Sequence, residues 1–94
     1  MPTIIEWEWD DENLGHLRPP RPNRNTIREV ATEDPRFRRN RRGLSASHQM
    51  IGPDAGGAMW VVCIVEVRTS LGRWRAITGW RARPREIAWY RRSR

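Results

Sequence analysis

The feature that most constrains the fold is a long apolar run, Ala58–Val67, in which Glu66 is the one charged residue. Successive side chains of a strand point to opposite faces of a sheet, and both faces of this run are apolar. One face would carry Val61, Cys63, Val65 and Val67, and the other would carry Trp60, Val62 and Ile64. A strand that is apolar on both faces is covered on both faces. The run therefore predicts the central strand of a sheet.

The N-terminal part of the chain predicts a strand, a short helix and a loop. Thr3–Trp9 alternates apolar and acidic residues, which is the pattern of a half-buried strand. Its apolar face would carry Ile5, Trp7 and Trp9. Residues 10–17 predict a short helix that begins with Asp10 or Asp11, because carboxylates cap helix N-termini and suit the helix dipole. Residues 18–25 predict a stiff basic loop, since their prolines fix φ and remove N–H donors.

A second helix is predicted after this loop. Thr26 and Glu29 have the spacing of a capping box, in which both side chains satisfy N–H groups at a helix start. The helix would run to about Glu33 and end before Asp34–Pro35, because the residue before a proline disfavours helix. Its buried stripe would consist of Ile27, Val30 and Ala31. Residues 36–43 then form the densest group of arginines in the chain, for which no helix or strand is predicted.

The C-terminal half predicts three strands and a helix. Leu44–Gly52 alternates as a strand does, and a turn at 53–57 leads into the central strand. Thr69–Gly72 predicts a turn, Arg73–Thr78 a second hairpin strand, and Pro84–Arg92 a helix, because proline suits the first helical position. The predicted order is β-α-α-β-β-β-α. It indicates an α+β class: one domain over residues 1–94, with an antiparallel sheet packed by helices.

The charge of the chain indicates a polyanionic partner. The net charge is +7, the pI is about 11.5, and all 18 basic residues are arginines. Arginine binds phosphate through two parallel hydrogen bonds and stacks on bases, whereas lysine acts as a point charge. An excess of this size favours RNA, or another acidic macromolecule, as the partner.

Several classes of protein are disfavoured by the sequence. The lone cysteine, Cys63, lies in the apolar run and is expected to be a core residue, so no internal disulfide is possible. The two histidines and one cysteine do not have the spacing of a metal site, and we expect no cofactor. No apolar run approaches the ~20 residues that span a bilayer, and the acidic N-terminus does not resemble a signal peptide. We therefore expect a cytoplasmic protein with no membrane association.

A set of short motifs, in order along the chain, resembles the BrnT-like toxins. The motifs are Trp9-Asp10-x-x-Asn13-x-x-His16, Arg28-Glu29-Val30, Ile51-Gly52, Gly56-Gly57, Trp74-Arg75-x-Ile77-Thr78, and a last helix with Glu86 and Tyr90. The resemblance implies a RelE-like fold and a ribonuclease toxin of a type II toxin–antitoxin pair. It implies a cognate antitoxin that also binds operator DNA, and either a dimer or a toxin–antitoxin heterotetramer. The chain departs from the family at residues 18–25 and at Gly79-Trp80, where the family has alanine and then arginine.

Four residues are the predicted catalytic groups of a metal-independent endoribonuclease. Such an enzyme uses the 2′-hydroxyl of RNA as nucleophile, so it needs proton transfer and stabilisation of a phosphorane. Arg75, which shares a strand face with Arg73, would stabilise the charge. Glu86 and Tyr90 match family positions and lie on one helix face, and His48 is a candidate acid or base near pH 7.

The remaining predicted contacts to RNA are arginines. The set is Arg73, Arg81, Arg38, Arg39, Arg41 and Arg42. Trp80 and Trp89 are the best candidates among the tryptophans for stacking on bases. Two alternatives stay open. The chain could be a non-catalytic module that binds RNA or a protein partner, or a basic component of a larger ribonucleoprotein with residues 18–42 as its RNA-contacting arm.

Overall fold

A computed structural model of the protein describes residues 2–41 and 45–93 and shows a small α+β domain with a five-stranded sheet and three helices. The predicted α+β class is confirmed. The elements are β1 (Glu6–Trp7), α1 (Asp11–His16), α2 (Arg24–Glu33), β2 (Arg36–Arg39), β3 (His48–Pro53), β4 (Met59–Glu66), β5 (Arg73–Arg81) and α3 (Pro84–Arg92).

The sheet has the strand order β1-β5-β4-β3-β2, so the apolar run forms the central strand, as predicted. Strands β2 to β5 pair antiparallel with their neighbours, whereas β1 pairs parallel to β5. The sheet is therefore mixed, and the prediction of a wholly antiparallel sheet is wrong. No hairpin links β1 to β5, so tertiary packing sets the direction of β1.

The arginine-rich segment contributes an edge strand that the sequence pattern does not predict. Arg36–Arg39 pairs with Ile51 to His48 of β3, which makes the observed order β-α-α-β-β-β-β-α. Phe37 packs against the core on one face, while Arg36 and Arg38 lie over aromatic rings of α3 on the other. Pairing with β3 holds the strand in the sheet, and the stems of these long side chains cover apolar surface.

The first strand is shorter and less regular than predicted. Both Ile5 and Glu6 donate their N–H groups to the carbonyl of Gly72, at 2.8 and 3.1 Å, so the alternation of the strand is broken there. Ile5 is 76% exposed, and Ile4 packs against the core in its place. The prediction that Ile5 shares a buried face with Trp7 and Trp9 is therefore wrong.

The second helix begins earlier than predicted and uses a different cap. Its N-cap is Asn23, whose Oδ1 accepts the N–H of Thr26 at 2.9 Å. Glu29 accepts instead from the N–H of Ala55 at 3.0 Å, so the predicted capping box is wrong. The capping box would have paired the N–H of Thr26 with the Glu29 carboxylate. In the structure that N–H donates to Asn23, three residues upstream. The helix ends at Glu33, as predicted.

In the C-terminal half the last helix has the predicted bounds, whereas two strands have different ones. Helix α3 spans Pro84–Arg92, and the turn before β5 has Gly72 at φ +83, a conformation that glycine adopts readily. Strand β5 extends past Thr78 to Arg81. Strand β3 begins at His48, and Leu44, where the predicted strand starts, lies outside the described residues.

Two apolar clusters cover the two faces of the sheet. The larger cluster joins the first two helices to the sheet, and its buried members are Leu17, Ile27, Val30, Met50, Val62, Ile64, Trp74 and Ala76. The smaller cluster lies beneath α3 and contains Ile51, Val61 and Tyr90. Strand β4 supplies residues to both clusters, so both of its faces are covered, as its apolar sequence predicts.

Candidate nucleic-acid interface

A concave surface lies between the edge strand β2 and the helix α3. Its volume is about 420 Å³, and we call it the β2–α3 groove; its lining residues are Arg38, Arg39, Arg41, Gln49 and Trp89. The guanidinium carbon of Arg38 lies 4.9 Å from the centre of the Trp89 ring, and its Nε donates to Oε1 of the buried Gln49 at 2.8 Å. Arg38 is therefore held in place by an aromatic ring and an amide.

A second concave surface adjoins the groove at the N-terminus of α3. Its volume is about 440 Å³, and we call it the α3 pocket; its lining residues are Arg38, Arg83, Pro84, Arg85 and Glu86. Arg38 lines both surfaces, so the two lie next to each other. Among the described lining residues of the two surfaces, Glu86 supplies the carboxylate and arginines supply every other charge.

The carboxylate of Glu86 is occupied by hydrogen bonds from the protein. Glu86 is 4% exposed. Its two oxygens accept the indole N–H of Trp80 at 3.2 and 3.1 Å, and Oε1 also accepts the N–H of Arg83 at 2.8 Å. This is the role of an acidic residue in the first turn of a helix, where N–H groups lack partners within the helix. Trp80, which stands where the resemblance expects arginine, thus ties β5 to α3.

Tyr90 is buried and anchors the other end of α3. It is 6% exposed, and its hydroxyl donates to the carbonyl oxygen and to Oδ2 of Asp34, the latter at 3.2 Å. The guanidinium carbon of Arg36 lies 5.8 Å from the ring centre. These contacts join α3 to the connection between α2 and β2. Tyr90 lines neither the groove nor the α3 pocket.

Arg75 belongs to a cluster of opposite charges at the start of β5. Its Nη1 donates to Oε2 of Glu8 at 2.8 Å and to Oδ2 of Asp10. The neighbouring Arg73 has its Nε 3.6 Å from a Glu8 oxygen and 3.9 Å from a Glu6 oxygen. Hydrogen bonds from Arg75 lower the pKa of Asp10, and the same carboxylates raise the pKa of Arg75. Both arginines that the sequence assigned to phosphate therefore pair with carboxylates.

The structure does not bring the four predicted catalytic residues together. Arg75 lies five positions before Trp80 on β5, which corresponds to roughly 15 Å along a strand, and Trp80 is the residue that contacts Glu86. His48 lies on the sheet face opposite the groove, because it is adjacent in β3 to the groove residue Gln49. Its ring packs edge-on against Trp74 at 5.5 Å.

The predicted RNA-binding arginines are partly brought together. Three of them, Arg38, Arg39 and Arg41, line the groove. Arg81 lies elsewhere, with its guanidinium carbon 5.2 Å from the centre of the Trp60 ring, and Arg42 lies outside the described residues. Arg73 takes part in the carboxylate cluster described above.

Two arginines of the α3 pocket were missed by the sequence reasoning. Arg83 and Arg85 flank the proline that starts α3. Their position at a helix N-terminus is the signal that could have indicated them, because anions bind where helix N–H groups lack partners. Together with the groove arginines they make a surface that can hold several phosphates at once.

Comparison with protein-family models, with characterised proteins and with solved structures found no match to this chain. Within residues 2–41 and 45–93, no helix is long and apolar enough to cross a membrane. Over the same ranges, no three His, Cys, Asp or Glu side chains are grouped so that they could hold a metal ion.

Proposed function

We propose that this protein binds RNA through the β2–α3 groove and the adjoining α3 pocket. The observation that carries the proposal is the excess of guanidinium groups around these surfaces, where five arginines accompany the one carboxylate among the described lining residues, that of Glu86. The set consists of Arg38, Arg39, Arg41, Arg83 and Arg85. Elsewhere, Arg73 and Arg75 face carboxylates, which lowers their attraction for phosphate.

RNA is favoured over other polyanions because the surface combines arginines with aromatic rings. Guanidinium groups bind phosphate oxygens, while bases that are not paired stack on aromatic side chains. Trp89 is half-buried and lies in the groove beneath Arg38, so a base that displaces the guanidinium would stack on the face of the ring.

A binding assay with fluorescently labelled RNA tests the proposal. We expect Arg38→Ala and Arg39→Ala to weaken binding, and to reduce the slope of log affinity against log salt by about 0.7 for each phosphate that the variant no longer neutralises. Arg28→Ala is the matched control, because Arg28 is exposed on α2 and lines a different surface that also contains two glutamates. Equal affinity and equal slope for all three variants would contradict the proposal.

Cleavage of the bound RNA, as the BrnT-like resemblance implies, is the second candidate function. The observation that favours it is the position of Glu86 on the wall of the α3 pocket, beside Arg38, Arg83 and Arg85. In this proposal Glu86 uses its remaining acceptor position to remove the proton of the 2′-hydroxyl, since a carboxylate has about four such positions and three are taken. The 2′-oxygen then attacks the adjacent phosphorus, the arginines stabilise the phosphorane, and the bond to the 5′-oxygen breaks as that oxygen takes a proton from water. The RelE-like fold assignment, the cognate antitoxin and its operator DNA belong to the same proposal.

Expression of the chain alone in a bacterial host tests the second candidate. Growth arrest with RNA breakdown, abolished in Glu86→Gln, is the expected result for an endoribonuclease. Arg75→Ala serves as a comparison, because the carboxylate cluster places Arg75 outside the α3 pocket and predicts little effect on cleavage by folded protein. If growth is normal and RNA stays intact while the folded protein still binds RNA, cleavage is excluded and RNA binding remains as the function.

A further inference from the structure

A third concave surface lies between the proline-rich loop and strand β5. Its volume is about 520 Å³, and we call it the loop pocket; its lining residues are Pro20, Arg21, Thr78, Gly79, Trp80, Arg81 and Arg83. It combines three guanidinium groups with an indole ring and a proline ring, and no carboxylate is among its described lining residues. These are the groups that contact the phosphate and the base of a nucleotide.

The wall of the loop pocket is built by close packing of the loop on the sheet. Pro22 is fully buried against Gly79, and a Cβ atom on Gly79 would lie 2.8 Å from Cγ of Pro22 and 2.7 Å from the carbonyl oxygen of Val61. Arg21 is further tied to β5 by its Nε, which donates to Oγ1 of Thr78 at 3.2 Å. The pocket is therefore present before any ligand binds, and Arg21 keeps its other N–H groups for an anion.

The loop pocket lies next to the two surfaces of the proposed RNA site. Arg83 lines both the loop pocket and the α3 pocket, and Arg38 lines both the α3 pocket and the groove. The guanidinium of Arg83 also lies 5.4 Å from the centre of the Trp80 ring. The three adjoining surfaces lie around the N-terminus of α3, and we call them together the path.

We propose that single-stranded RNA follows this whole path and places one nucleotide in the loop pocket. The proposal rests on the RNA-binding function. It adds that the bound RNA is single-stranded and that the site extends into the loop pocket. Trp80 and Pro20 would contact the base, while Arg21 and Arg81 would bind its phosphate. The bases of a duplex are stacked inside the helix, so only an unpaired base reaches an aromatic ring within a pocket.

Two arginines at the far end of the path allow a direct test. Arg21 and Arg81 are exposed and line the loop pocket but neither of the other two surfaces. The double variant Arg21→Ala/Arg81→Ala is compared with Arg28→Ala/Arg68→Ala, which removes the same charge from exposed positions outside the path. Binding of a labelled single-stranded nonanucleotide is measured by fluorescence anisotropy, and circular dichroism shows that each variant is folded.

We expect the Arg21/Arg81 variant to bind the nonanucleotide roughly twentyfold more weakly, because removing one guanidinium from a phosphate lowers the affinity roughly fivefold. The indole N–H signal of Trp80 in a nitrogen–proton NMR spectrum should shift with the single strand. It should not shift with a blunt RNA duplex at the same phosphate concentration. Both results together support the proposal.

Three outcomes would overturn it. If wild-type protein binds the nonanucleotide and both double variants bind it equally, the loop pocket is not on the path, although the RNA-binding function stands. If wild-type protein binds no RNA, the function and the inference both fail. If polyglutamate displaces the RNA at equal charge and shifts the Trp80 signal in the same way, the pocket recognises acidic peptide and not a nucleotide.

Discussion

Replacing Glu86 with alanine should destabilise the protein, because the carboxylate holds the start of α3 to β5. The Glu86 oxygens accept the indole N–H of Trp80 and the backbone N–H of Arg83. A buried donor that loses its acceptor costs about 1–3 kcal/mol. Trp80 is half-buried and Arg83 is exposed, so water compensates part of the loss. We expect the free energy of unfolding to fall by about 2 kcal/mol.

Thermal denaturation followed by circular dichroism measures this effect. For a domain of 94 residues, about 1 kcal/mol corresponds to about 4–8 °C in Tm, so Glu86→Ala should melt about 8–16 °C below the wild type. Glu86→Gln keeps one acceptor oxygen, so its Tm should lie between those of wild type and Glu86→Ala. Glu33→Ala is the matched control, because Glu33 is an exposed helical glutamate and its replacement should change stability by less than about 0.5 kcal/mol.

A Glu86→Ala variant that melts together with the Glu33→Ala control would refute this reasoning. It would mean that the hydrogen bonds from Trp80 and Arg83 contribute little to the fold.

Three further predictions concern side chains outside the groove. Tyr90→Phe removes the hydroxyl that donates to Asp34 and should lower the free energy of unfolding by about 1 kcal/mol in urea titrations; an unchanged midpoint would contradict this role. Gly79→Ala places a methyl group against Pro22 and the β4 backbone and should lower Tm by at least about 4 °C; a variant as stable as wild type would show that the loop moves freely. The pKa of Asp10 is lowered from its usual 3.8 by the arginine beside it, so its contribution to stability is present above that pH and lost as pH falls through the folded-state pKa. Urea titrations at pH 7 and pH 3 should therefore show a larger acid loss for wild type than for Asp10→Asn, and equal losses would disprove the linkage.

The sequence pattern was enough to predict those helices and strands whose signals lie within a few neighbouring residues. The apolar run predicted the central strand β4, because a strand covered on both faces needs apolar residues at every position. Proline at the first position predicted the start of α3 at Pro84. Strand β2 had no such signal, because Phe37 is its one apolar residue and pairing with β3 holds it in the sheet.

One part of the candidate site could likewise be predicted from neighbouring residues, and another part could not. The density of arginines in residues 36–43 was visible in the sequence, and Arg38, Arg39 and Arg41 do line the groove. The pairing of Arg75 with Glu8 could not be predicted from the sequence, because Glu8 lies 67 positions away. A guanidinium also binds a carboxylate as readily as a phosphate.

The sequence by itself determined the class of fold, the central strand, the last helix and the strong positive charge. Each of these depends on the composition or spacing of neighbouring residues. The tertiary structure decided which arginines face carboxylates and which face open grooves, that Glu86 and Tyr90 are buried as anchors of α3, and that the proline loop forms a pocket with β5. These outcomes depend on contacts between residues far apart in the chain, and the same side chain can satisfy more than one such contact.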